Sequence, residues 1–165
     1  MALVVEDGTS LPTANTFATR AELIAHALAR GVVVPDTDAT DVHLIKAMDV
    51  LLVKLWLGAA ITDLQGTPFP RLYIAPGGTL PVFPDDAVPA RVKKAQLLLA
   101  LASYQGVALM AQTPAGPRLK SRDVGPLKRT YMDGDGASFA YVAGVDELLA
   151  AYIEKGGFRL TTRRA

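Results

Sequence analysis

The sequence predicts a mainly α protein, a small bundle of about four helices with one β-hairpin, a long Pro/Gly-rich loop and extended terminal arms. Three observations carry that expectation. Apolar residues recur at helical spacing in four stretches bounded by capping and stop signals. The run Arg118-Leu-Lys-Ser-Arg-Asp-Val-Gly-Pro-Leu-Lys-Arg-Thr-Tyr131 reads as strand, turn and strand, with the turn at Gly125-Pro126. Residues 63–84 hold five prolines and three glycines among large apolar groups, which excludes a regular helix or a central strand there.

The first helix opens on Thr19-Arg-Ala-Glu22, a capping box in which the threonine accepts from a later backbone N–H and the glutamate reaches back. Leu23, Ile24, Ala27 and Leu28 form its stripe, and Gly31 is its stop. A second helix starts near Asp38 or Thr40, with Asp41 in the first turn, where the helix dipole favours an acid. Val42, Ile45, Ala47, Met48, Leu51, Leu52 and Leu55 make its apolar side as far as Trp56, with Gly58 near its end. The third and longest helix starts near Asp85 or Asp86, with Pro89 in a first turn that tolerates the missing N–H. Val88, Val92, Ala95, Leu98, Leu99, Ala102 and Leu109 follow its spacing, and Arg91, Lys93 and Lys94 lie opposite. Gly106 is a kink site and Pro114 limits the helix. After the hairpin, Asp133-Gly-Asp-Gly136 connects to a fourth helix from Val145 to Glu154. It stops at Gly156-Gly157 and leaves a basic tail, 156–165.

A chain of 165 residues, half of them apolar and a fifth charged, is expected to be one domain over 1–165 with a core of its own. Net charge is only +1, so composition alone does not predict strong non-specific DNA binding. The charge is uneven, however. Asp36, Asp38, Asp41 and Asp49 face only Lys46 between residues 33 and 52, while the hairpin and tail are basic. The absence of cysteine excludes disulfides and thiolate metal sites, which fits a reducing cytoplasm. The opening residues lack a signal-peptide pattern and no apolar run reaches a membrane span, so a soluble intracellular protein without membrane contact is expected.

Nothing in the chain composes a catalytic site. His26 and His43 lack the paired spacing of a metal-binding helix, the 133–136 run lacks the later ligands of a calcium loop, and no phosphate loop or nucleophile elbow occurs. The expectation is a protein that is not an enzyme, has no cofactor and acts by contact. Two surfaces stand out. On the hairpin, Arg118, Lys120, Arg122, Lys128 and Arg129 are five bases against one acid. They read as a solvated edge or a protein-contact element more readily than as a nucleic-acid site, since Tyr131 is the ribbon's one stacking group. In the 63–84 loop, Pro68, Phe69, Pro70, Arg71, Tyr73 and Phe83 are expected at a subunit interface, with Phe69 and Arg71 as anchors.

Val5-Glu-Asp-Gly-Thr-Ser-Leu-Pro-Thr-Ala-Asn-Thr-Phe17, Gln65-Gly-Thr-Pro-Phe-Pro-Arg71, the helix after Pro89 and Arg122-Asp-Val-Gly-Pro126 together resemble a family of tailed-phage and prophage head–tail connector (adaptor, neck) proteins. Sequences of this type are also labelled DnaT-like single-stranded-DNA-binding proteins. Phe69 and Phe17 stand where tryptophan and tyrosine are usual in such sequences. The connector resemblance implies a virion protein of the neck, assembled in the host cytoplasm as a ring of about twelve copies. That ring would meet the portal and a downstream neck or tail-completion protein, and pass double-stranded genomic DNA without sequence specificity. It also implies portal docking by the tail through Phe158, Arg159, Leu160, Arg163 and Arg164. The alternative is a single-stranded-DNA-binding accessory protein of replication.

Overall fold

In the computed structural model, which describes residues 2–79, 82–110, 121–124, 127–130, 142 and 144–154, four helices and two short antiparallel ladders follow in order. They are α1 (Arg20–Leu28), α2 (Asp38–Leu52), β1 (Ala59–Ala60), β2 (Arg71–Leu72), α3 (Ala90–Tyr104), β3 (Ser121–Val124), β4 (Leu127–Thr130) and α4 (Val145–Leu149). The architecture is mainly helical with an antiparallel hairpin, as the sequence predicts.

Helix α1 begins at its capping box, with Thr19 accepting from the Glu22 N–H and the Glu22 carboxylate accepting from the Thr19 N–H. It closes with Gly31 N–H to Leu28 O at 2.9 Å and Val32 N–H to Ala27 O at 3.0 Å, the paired bonds of a Schellman stop. Helix α3 ends in the same way, with Gly106 N–H donating to Ser103 O and Val107 N–H to Ala102 O. Gly106, at φ +89°, is therefore a terminator and not a kink, because only glycine takes that left-handed conformation without strain. At the other end Pro89 is the cap, so α3 starts later than Asp86; it matches α2 in length at 15 residues.

Helix α2 stops at Leu52, short of Trp56. Its buried side is Thr40, Asp41, Leu44, Ala47, Met48, Val50 and Leu51, whereas Val42, Leu52 and Leu55 are exposed. Helix α4 is likewise shorter than expected. Beyond Ala150 the chain turns, and Ile153 pairs antiparallel with Trp56 through Leu57 N–H to Tyr152 O and Glu154 N–H to Leu55 O, both 2.8 Å.

Helix α3 is the centre of the bundle and packs against α1, α2 and α4. Its middle carries one wholly buried polar side chain, Gln96. The Gln96 amide donates to Thr16 Oγ1 (2.9 Å) and Leu44 O (3.1 Å) and accepts from the Phe17 N–H (2.9 Å). A single side chain thus ties the N-terminal arm and α2 to α3, with its polar atoms satisfied as burial demands.

The 63–84 loop corrects the interface expectation. Phe69, Pro68, Pro70 and Phe83 are buried inside the chain's own core, and Phe69 has no exposed surface. The Phe69 ring is edge-on to Trp56 (5.1 Å), Phe17 (6.4 Å) and Tyr152 (6.0 Å) and tilted against Phe83 (5.7 Å). Tyr73, half-buried, stacks on Phe83 at 5.8 Å. The physical reason is direct: a segment unable to build a sheet needs side-chain burial to be ordered, and the apolar gap beside α3 lies within reach. Local bonds then fix its backbone, including Thr67 Oγ1 to Phe69 O at 2.7 Å and the β1–β2 ladder pairing Ala59 with Leu72 and Ala60 with Arg71. Phe69→Ala should accordingly act on the monomer. Urea denaturation is expected to show a loss of about 3–5 kcal/mol, the range for truncating a fully packed phenylalanine.

Candidate functional site

The residues singled out by sequence fall into three places. Pro68, Phe69, Pro70 and Phe83 belong to the core, as above. Arg71 and Tyr73 are half-buried beside it. Arg118 and Lys120 lie outside the described residues, as do Phe158, Arg159, Leu160, Arg163 and Arg164 and the 133–136 run. Arg122, Lys128 and Arg129 are on the hairpin, where the antiparallel register sets Arg122 opposite Arg129 and Asp123 opposite Lys128.

The guanidinium of Arg71 holds the local backbone. Its Nε donates to Leu57 O (2.9 Å), and its terminal nitrogens donate to Gly58 O (2.6 Å) and Pro68 O (3.4 Å). Burial lowers its pKa from the ordinary arginine value. Arg71 also lines a cleft of about 530 Å³ between the end of α2 and the β1–β2 ladder. Leu52, Leu55 and Trp56 form its apolar wall, with Asp63 and Glu154 among the lining residues. Sequence reasoning missed this cleft because it needs the antiparallel return of residues 152–154 to α2. The sequence carried no signal for it, since Leu52 and Leu55 fall on the predicted apolar side and only the structure shows them exposed.

The acidic stretch near α2 also changes meaning. The Arg20 guanidinium spans the Asp41 carboxylate through two bonds of 2.7 Å and reaches Asp38 (2.6 Å) and Asp36 (3.2 Å). Hydrogen bonds donated by Arg20 hold the Asp41 carboxyl below its ordinary pKa, and donating to Asp41, Asp38 and Asp36 raises the pKa of Arg20. Three of the four aspartates in that stretch therefore serve to join the starts of α1 and α2. Lys93 similarly meets Glu22 at 2.6 Å and joins α3 to α1.

The N-terminal motif is a structural clasp. One Glu6 carboxylate oxygen accepts from the Gly8 and Ser10 N–H groups and the other accepts from the Leu11 N–H (2.9 Å), while the Gly66 N–H donates to Leu11 O (3.0 Å). Gly66 lies so close to this arm that an added Cβ would stand 2.5 Å from Ala14 O, which excludes larger residues. The 5–17 and 65–71 motifs are thus two halves of one contact.

His43 Nδ1 lies 3.0 Å from Ser103 Oγ and its ring is edge-on to Tyr104, while among the described residues both buried ring nitrogens of His26 lack a hydrogen-bond partner. Among the described residues no cluster of His, Cys, Asp and Glu suits a metal, and no helix is long and apolar enough to cross a membrane.

The arrangement defines a small helical protein with a basic antiparallel ribbon and with its most distinctive motifs devoted to its own packing. The chain belongs to the family described as Putative DnaT-like ssDNA binding protein, whose model matches residues 1–165. No curated protein and no solved structure matches it.

Burial lowers the pKa of both histidines, helped at His26 by Arg30 and Lys94 and at His43 by Lys46. The folded chain therefore binds fewer protons than the unfolded chain just below pH 6.5, the ordinary histidine value. Their contribution is complete above that pH and is lost as pH falls through it. Thermal melts from pH 7.5 to 5.5 should show a falling melting temperature, and His26→Leu should flatten that dependence to roughly half.

Proposed function

We propose that this protein binds single-stranded DNA as an accessory protein of replication, and that the β3–β4 ribbon makes the contact. It acts by binding and not by catalysis. The observation that carries the reading is the match of the DnaT-like family over the whole chain. The ribbon adds a physical reason, because its two strands carry Arg122, Lys128 and Arg129, three cations suited to phosphate. Phosphates contacted by arginine and lysine give affinity without sequence choice, and here the cations are concentrated on the ribbon and not spread over a chain whose net charge is only +1.

The connector resemblance rests on the 5–17 and 65–71 motifs together with Arg122–Pro126 and the helix after Pro89. The first two hold the protomer together, and Phe69 is spent inside it. They speak for a shared fold more than for a ring.

Fluorescence anisotropy with a labelled oligothymidine across a salt series tests the proposal. Binding at low salt should weaken as salt rises, with a logarithmic slope of about −0.7 per phosphate contacted. Replacing Arg122, Lys128 and Arg129 by glutamine should make that slope shallower by about 2 and weaken binding at every oligonucleotide sequence. Absence of binding at low salt, or an unchanged slope in the triple variant, would overturn it.

A further inference from the structure

Arg91, Lys93 and Lys94 lie off the apolar stripe of α3, and Lys93 meets the Glu22 carboxylate at 2.6 Å. That ion pair sets the first turns of α1 and α3 side by side. Lys94 and, one turn before it, Arg91 are exposed next to the bridge. From α1 comes Arg30, also exposed, whose guanidinium donates to His26 O at 2.8 Å. Arg30 follows His26 by four residues and Glu22 by eight, so it continues their face past the end of the helix. The His26 ring lies within this group: burial lowers its pKa, and the nearby Arg30 and Lys94 lower it further. Cations from two helices therefore act on one imidazole.

We propose that Arg30, Arg91 and Lys94 form a second contact for the phosphate backbone of single-stranded DNA, on the face shared by α1 and α3. The inference rests on the single-stranded-DNA reading and adds to the ribbon a surface built on helices. Charge favours this partner. The two helices carry one acid between them, Glu22, and it is bridged to Lys93. Shape favours it as well. A protein partner would need an apolar centre inside a polar rim, and α3 exposes none of its large apolar side chains. A nucleic-acid backbone needs only cations at intervals, and residues three apart on a helix stand about 5–6 Å from each other. The core sides of both helices are packed, so the cations are held in place before any ligand arrives.

The test uses the full chain and a labelled oligothymidine across a salt series. Replacing Arg30, Arg91 and Lys94 together by glutamine should weaken binding at low salt by ~10-fold or more and make the logarithmic slope shallower by about 2. Lys93 is kept, so the bridge to Glu22 and the melting temperature should hold. Arginine-to-lysine replacements at 30 and 91 keep the charges and should keep the slope. Lys46→Gln, at an exposed lysine of α2, should leave the slope unchanged and so separate a local contact from overall charge. A helix-face triple variant with the wild-type slope, beside a ribbon variant that loses part of it, would overturn this inference alone. The reverse pair of results would support the α1–α3 contact and remove the ribbon's. No binding by the wild-type chain would overturn both, and an equal loss per charge in Lys46→Gln would overturn the assignment to this face.

Discussion

The fold depends on the ring of Phe69. It sits among aromatic groups from the N-terminal arm, the segment after α2, the far end of its own loop and the segment after α4, and each contributes one side chain to it. Edge-to-face pairs of this kind add about 0.5–1.5 kcal/mol each beyond the area they bury. The loop bearing Phe69 has little regular structure of its own, its ladder with β1 being two residues long. Its order comes from that ring and from bonds of Thr67, Gln65 and Arg71 to neighbouring backbone. A proline-rich segment suits the role because fewer of its backbone N–H groups need partners when buried.

Gln96 and Glu6 perform the polar counterpart. Each is a buried side chain that satisfies main-chain donors which no helix or strand could reach, Gln96 at Phe17 and Glu6 at residues 8, 10 and 11. An apolar residue at either position would leave buried N–H groups unpaired, at about 1–3 kcal/mol per group. The N-terminal arm is thereby part of the core, although among the described residues its ladder contact is the single bridge between Val5 and Thr16.

The start of α1 was legible in the sequence because capping is local chemistry: Thr19 and Glu22 are three residues apart and need nothing else, whereas α3, which has no side-chain cap, starts later than expected. The hairpin, with its turn between residues 124 and 127, was legible for the same reason. Helix ends and faces were less so. Leu44 and Val50 face the core of α2 while Leu52 and Leu55 do not, a choice made by where α3 lies and not by spacing. The loop was misread because large apolar groups among prolines look alike whether they are buried by a neighbour or by their own chain. The partner of the acidic stretch, Arg20, was not legible because it lies in the preceding helix. The ribbon bases were visible from the start, and their opposition in register required the structure. The cleft was hidden because its wall closes only through pairing between residues 56 and 153.

That last pairing bears on the order in which the molecule is made. Tyr152 completes the aromatic group around Phe69, and its carbonyl receives the Leu57 N–H. Both emerge from the ribosome almost a hundred residues after Trp56. During synthesis the first three helices have their caps and much of their mutual packing available, but the Phe69 cluster still lacks one side. Contacts of such sequence separation are slow to form and come late. The nascent chain therefore carries an incompletely covered aromatic surface until Tyr152 has been translated.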